Sequence, residues 1–242
     1  MIAISYGITN LAFNWAIAEG NVMRVVFLFY LMPIWAQIFA IFLIKEKLTI
    51  ISFIGISTAT FGAFLILIYN QINIKEFSPE IFFSISKEDF LAIVGGIFFG
   101  LGNVLVRKAI KIKSLLKTFA IFYGTFFVAA VFLLVNLIYP VLGKSTILDA
   151  VIMQSFTDIK FLLIFSSFVV GLGLANFLLQ LGASKLPVFI TSTLLMFEIL
   201  VALVSTTILQ EAPLRINEFI GGGLILIAAF LMITNTWKIS KN

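Results

Sequence analysis

Long apolar runs separated by short polar joints set the pattern of this chain. Seven runs have the length of a membrane span: Val22–Ile44, Thr49–Tyr69, Phe90–Val106, Thr118–Tyr139, Phe161–Leu181, Pro187–Leu209 and Ile216–Trp237. About 20 mostly apolar residues cross the roughly 30 Å hydrocarbon layer as a helix. With no water there to satisfy backbone amides, helix is the form such runs take. An eighth run, Ile2–Ala18, is shorter and carries Ser5, Thr9, Asn10 and Asn14; it too is read as a span. None of the runs alternates in polarity as a barrel strand does. The pattern predicts an all-α polytopic membrane protein of about eight transmembrane helices.

Composition agrees. Hydrophobic residues make up 62% of the chain, charged residues 11%, and the mean hydropathy is +1.18, whereas soluble domains carry about 25% charged residues. The chain has no Cys and no His, which excludes disulfides, thiol chemistry, Cys/His zinc sites and histidine acid–base catalysis. Met1–Ser5 lacks the basic start of a cleaved signal peptide, so the first run is expected to be retained.

The joints carry nearly all the charge. One side collects Lys45, Lys47, Arg107, Lys108, Lys111, Lys113, Lys117, Lys185, Lys238 and Lys241, with Glu46. The other collects Arg24, Lys75, Lys87, Lys144, Lys160 and Arg215, with nearly all the acids. Basic joints stay cytoplasmic, so both termini are expected on the cytoplasmic side of the cytoplasmic (inner) membrane. The run Arg107–Lys117 is read as a topology determinant rather than a nucleic-acid site. The connectors Asn70–Asp89 and Pro140–Lys160 are then external, and Phe77, Ile81, Phe82 and Phe83 suggest a short interfacial helix in the first.

Two stretches repeat. Ala36 to Glu46, followed by Phe53-Ile54-Gly55 and an apolar helix ending near Tyr69, parallels Val201 to Glu211, followed by Phe219-Ile220-Gly221 and a helix ending near Trp237. Span counting puts Glu46 and Glu211 on opposite sides of the membrane. That is an inverted-topology repeat, an arrangement of secondary transporters with a substrate site near the midplane.

The patterns Pro33-Ile-Trp-Ala with Lys45-Glu46-Lys-Leu-Thr49 and Gly55, and Leu195-Met-Phe-Glu198 with Gln210-Glu211 and Gly221-Gly-Gly223, resemble the EamA domain of the drug/metabolite transporter superfamily. Phe98-Phe-Gly-Leu-Gly-Asn103-Val-Leu-Val-Arg-Lys108 resembles the opening helix of an EamA repeat. The resemblance implies two inverted repeats of five helices and transport of small metabolites. On that frame residues 1–70 form a partial first repeat of three helices, 71–88 an external connector, and 89–238 a second repeat of five. Two helices equivalent to Phe90–Val106 and Thr118–Tyr139 are expected ahead of Met1, in coding sequence extending upstream.

Glu198 lies deep in a span, with eleven residues from Pro187 before it. A charge there costs at least about 2.5–3.5 kcal/mol and usually faces a cavity. It fits a protonatable coupling group or a partner for a substrate ammonium; the plainer alternative is a helix–helix lock. Asn10 with Asn14, and Asn176 with Gln180, each stack on one helical face at repeat-related places, as cavity lining or as bridges. Trp35 and Trp15 are candidates to stack on a substrate, Trp15 equally an interface anchor, and Trp237 an anchor. Tyr30, Gln37, Asn103, Tyr123 and Asn136 are weaker candidates, each read as packing ahead of contact. Gly96-xxx-Gly100 and Gly221–Gly223 permit close helix approach.

No phosphate-loop spacing occurs, so transport is expected to be gradient-driven or facilitative, without a cofactor. The leading expectation is a secondary transporter or exporter of small molecules by alternating access; the alternative is a transport-incompetent membrane partner in assembly or regulation. A membrane enzyme ranks last, since no catalytic constellation converges in the spans.

Overall fold

The computed structural model describes residues 1–68, 85–138, 158–209 and 215–241. Its helices are α1 (Ile2–Glu19), α2 (Val22–Phe29), α3 (Met32–Ile44), α4 (Ile50–Leu67), α5 (Lys87–Lys108), α6 (Ser114–Ile138), α7 (Ile159–Lys185), α8 (Val188–Leu195), α9 (Phe197–Leu209) and α10 (Ile216–Lys241). Among the described residues no strand occurs, and seven helical stretches are long and apolar enough to cross a membrane. The expectation of an all-α polytopic membrane protein holds. The more polar α1 is an eighth long helix, packed along α5 and α6.

Two spans expected to be continuous are broken. The stretch Val22–Ile44 consists of α2 and α3, of 8 and 13 residues; Val188–Leu209 consists of α8 and α9, again of 8 and 13 residues. Both breaks have the same hydrogen bonds. Leu31 N–H donates to Leu28 O and Ile34 N–H to Leu31 O; at the equivalent places Met196 N–H donates to Thr193 O and Ile199 N–H to Met196 O. These short-range bonds tighten a turn where an α-helix would bond one residue further back.

The causes differ. In the first copy Pro33 lacks the N–H that Phe29 O would accept, and its ring crowds that carbonyl. In the second, Thr191, Ser192 and Thr193 donate in succession to Pro187 O, Val188 O and Phe189 O, and such back-bonding bends helices.

The repeat also shows in tertiary packing. A Cβ placed on Gly62 would lie 2.6 Å from Gly221 O, and one on Gly221 would lie 2.6 Å from Gly62 O. α4 and α10 therefore touch backbone to backbone. Beside that contact Gly55 receives the end of Met232, and Gly221 receives Ile66. The displacement along the chain that carries Gly55 to Gly221 also carries Ile66 to Met232, so the Gly55–Met232 and Gly221–Ile66 contacts are counterparts of each other. α8 packs among α3, α4, α5 and α10, with Val188 to Thr193 all buried.

Charged joints pair at the two ends. At one end Arg24 meets Asp89 at 2.7 Å and Lys87 meets Glu19 at 2.7 Å. Asp89 also completes a capping box with Ser86 at the start of α5. At the other end Arg107 donates to Ser184 O at 2.7 Å, while Lys117 donates to Ser184 Oγ and Val106 O. Lys117, counted above in the basic run, is 1% exposed. The middle of α7, from Leu163 to Leu172, is exposed on the molecular surface.

Candidate functional site

The two breaks meet. Tyr30, in the turn between α2 and α3, donates its hydroxyl to Glu198 Oε2 at 2.7 Å. Glu198 is in the first turn of α9, where the helix dipole favours negative charge. Tyr30 is 5% exposed within a cluster that includes Phe29, Met32, Met196 and Ile199, whereas Glu198 is exposed on its remaining side. One oxygen is thus held from the other half of the chain. Tyr30, read from the sequence as packing ahead of contact, does both.

α5 fits against this junction through its glycines. A Cβ on Gly96 would meet Phe29 O at 2.8 Å, and one on Gly100 would meet Ala36 N at 2.7 Å. The Gly96-xxx-Gly100 pair thus seats α5 directly on the interrupted span, the close approach expected of it.

The other sequence candidates do not gather at Glu198. Asn10 donates to Tyr6 O and to Thr125 Oγ1 at 2.9 Å, bridging α1 to α6, and Asn14 donates to Asn10 O. Both line a groove of about 420 Å³ between α1 and α6, together with Trp15 and Phe132. Trp15 packs on Phe132 with ring centroids 5.1 Å apart. The Lys87 ammonium, and then the Trp15 indole, hold the Glu19 carboxyl below its usual range. Asn176 turns back on its own helix at Leu172 O. Gln180 is fully buried beside Tyr6, whose hydroxyl donates to Asn103 Oδ1 at 2.8 Å. Trp35 is half-buried, and its Nε1 has no partner among the described residues.

Of the repeat-motif residues, Gly55 and Gly221 are the contact points of α4 and α10. Glu46 has a role that its place in a joint did not reveal: its Oε2 accepts the Val188 N–H, the first amide of α8, at 3.2 Å. Burial raises its pKa above the usual carboxylate range, against the opposing pull of the Val188 N–H and of Arg107. Glu211, the connector residues Phe77, Ile81, Phe82 and Phe83, and the side chains of Asn136 and Trp237 lie outside the described residues. No cluster of three potential metal ligands occurs among the described residues.

Helices of spanning length around two interrupted segments define a multi-pass membrane protein. Residues 1–68 match the EamA-like transporter family, which bears out the resemblance drawn from the sequence. A solved structure described only as "Crystal structure of protein" aligns with a TM-score of 0.68 over 95% of this chain and 73% of its own, at 14% identity; what it shares is the fold. No curated protein matches the chain.

Proposed function

We propose that the chain is a secondary transporter or exporter that moves a small metabolite across the cytoplasmic membrane by alternating access between two inverted repeats, residues 1–70 and 89–238. The observation that carries this reading is the hydrogen bond between Tyr30 and Glu198, made where two repeat-related spans are both interrupted. Secondary transporters place substrate and ion sites at discontinuous helices near the midplane, at the interface of their repeats.

Tyr30 comes from the first repeat and Glu198 from the second. Oε2 is engaged, and Oε1 remains for a proton or for the ammonium group of a substrate. Either occupant neutralises the carboxylate and weakens the charge-assisted bond from Tyr30. The attachment between the two halves then depends on what Glu198 holds, which is the coupling that alternating access requires. Both termini lie on the cytoplasmic side in this reading, and the driving force is an ion or substrate gradient.

Purified chain in proteoliposomes, under imposed pH and substrate gradients, tests this with a panel of amino acids, nucleosides, sugars and polyamines. Glu198→Gln is expected to abolish flux without loss of insertion. Tyr30→Phe, which removes a hydrogen bond to a charged group, should lower flux about tenfold. Full activity in Glu198→Gln would remove the carboxylate from the mechanism. Absence of flux for the whole panel favours the non-transporting membrane partner instead.

A further inference from the structure

A second cavity lies away from Glu198. It is a lateral crevice of about 490 Å³ along α2, α3 and α4, running from Phe27 and Phe64 toward Ile41 and Phe53. Its walls carry no charged residue. Three polar side chains line it: the exposed Ser57, and Gln37 and Thr60, whose polar atoms are buried. Gln37 is 4% exposed, and among the described residues neither its Nε2 nor its Oε1 has a hydrogen-bond partner; the buried Thr60 Oγ1 has none there either. Thr60 forgoes the bond to the carbonyl four residues earlier that Thr125, Thr193 and Thr207 all make. Unpaired polar atoms at membrane depth are costly.

The repeat shows that the hairpin does not need these groups. The positions equivalent to Gln37 and Thr60 in the second copy are Ala202 and Leu226, and α9 and α10 form the same elements without them. The rim residues Ile34, Ile38 and Phe61 are exposed, so the crevice opens sideways, toward lipid.

We infer that this crevice is a binding site for an uncharged, mostly apolar molecule bearing one carboxamide-like group, which enters from the bilayer. The Gln37 side chain offers a donor and an acceptor side by side, the complement of another amide. Thr60 supplies a further hydroxyl. An ordinary acyl chain would fill the length and leave all three atoms unpaired, and a charged ligand would find no counter-ion. The site does not depend on the transport reading, because occupancy is measured without flux.

The test uses protein in phosphatidylcholine nanodiscs and two photoreactive probes, 4-benzoylbenzamide and benzophenone, which differ only in the carboxamide. Peptide mass spectrometry should find the carboxamide probe on α3 and α4 about tenfold above benzophenone, the expected worth of a satisfied buried polar group. Gln37→Leu should bring it down to the benzophenone level. Thr60→Val should reduce it severalfold, and it serves as the deciding variant if Gln37→Leu does not fold. Equal labelling by both probes, or labelling undiminished in the variants, overturns the inference and leaves the crevice to lipid chains or water.

Discussion

With Oε2 of Glu198 taken by Tyr30, each ionisable side chain is best understood through the one atom that holds it. Glu46 illustrates this at the start of the second interrupted span. It stands at the N-terminus of α8 and accepts Val188 N–H, a favourable place for a carboxylate, yet burial raises its pKa. A raised folded-state pKa means that the folded chain holds a proton the unfolded chain has already released. The stability owed to this group is therefore full below the unfolded value and is lost as pH rises through the folded one. The difference in melting temperature between wild type and Glu46→Gln should accordingly shrink as pH rises above the unfolded carboxylate value of about 4.3. A difference independent of pH would refute the burial argument. Lys117 makes a plainer case: its ammonium is buried against Val106 O and Ser184 Oγ. Lys117→Ala should destabilise the chain by about 1–3 kcal/mol, seen as a lower melting temperature, because both acceptors lose their donor.

Among the elements, the spans were legible because twenty apolar residues have few other places to go. Their interruptions were not. Pro33 was quoted only as part of a motif, although a proline so placed breaks a helix, and the hydroxyl run Thr191–Thr193 was available as a signal for the second break. Glu198 was found from its depth alone, but Tyr30 was not, since nothing local distinguishes a tyrosine that packs from one that also donates. The Asn10–Asn14 pair left its partner open for a related reason. Helical spacing puts Asn10 and Asn14 on one face, but it says nothing about which neighbour that face meets, and the neighbour is α6. Glycines separate in the same way. Gly62→Ala and Gly221→Ala each push a Cβ into the facing backbone and should cost about 1–3 kcal/mol. Gly223→Ala, with nothing within 4 Å, should leave the melting temperature unchanged or raise it. Equal effects at all three positions would contradict the packing described for α4 and α10.

The whole molecule has no cysteine, so single introduced thiols report orientation without background. In right-side-out vesicles a membrane-impermeant maleimide should label Arg215→Cys and spare Lys111→Cys, both positions being exposed; the reverse pattern would invert the proposed topology. The reciprocal contact of α4 and α10 has a mechanical consequence. A pivot whose two members offer each other matching contacts, Gly55 to Met232 and Gly221 to Ile66, has little built-in preference for one direction of tilt. The resting posture must then be decided at the rims, where the Glu46 cap on α8 faces off against the Arg24–Asp89 clasp. The balance beam is even; the weights at its ends are not.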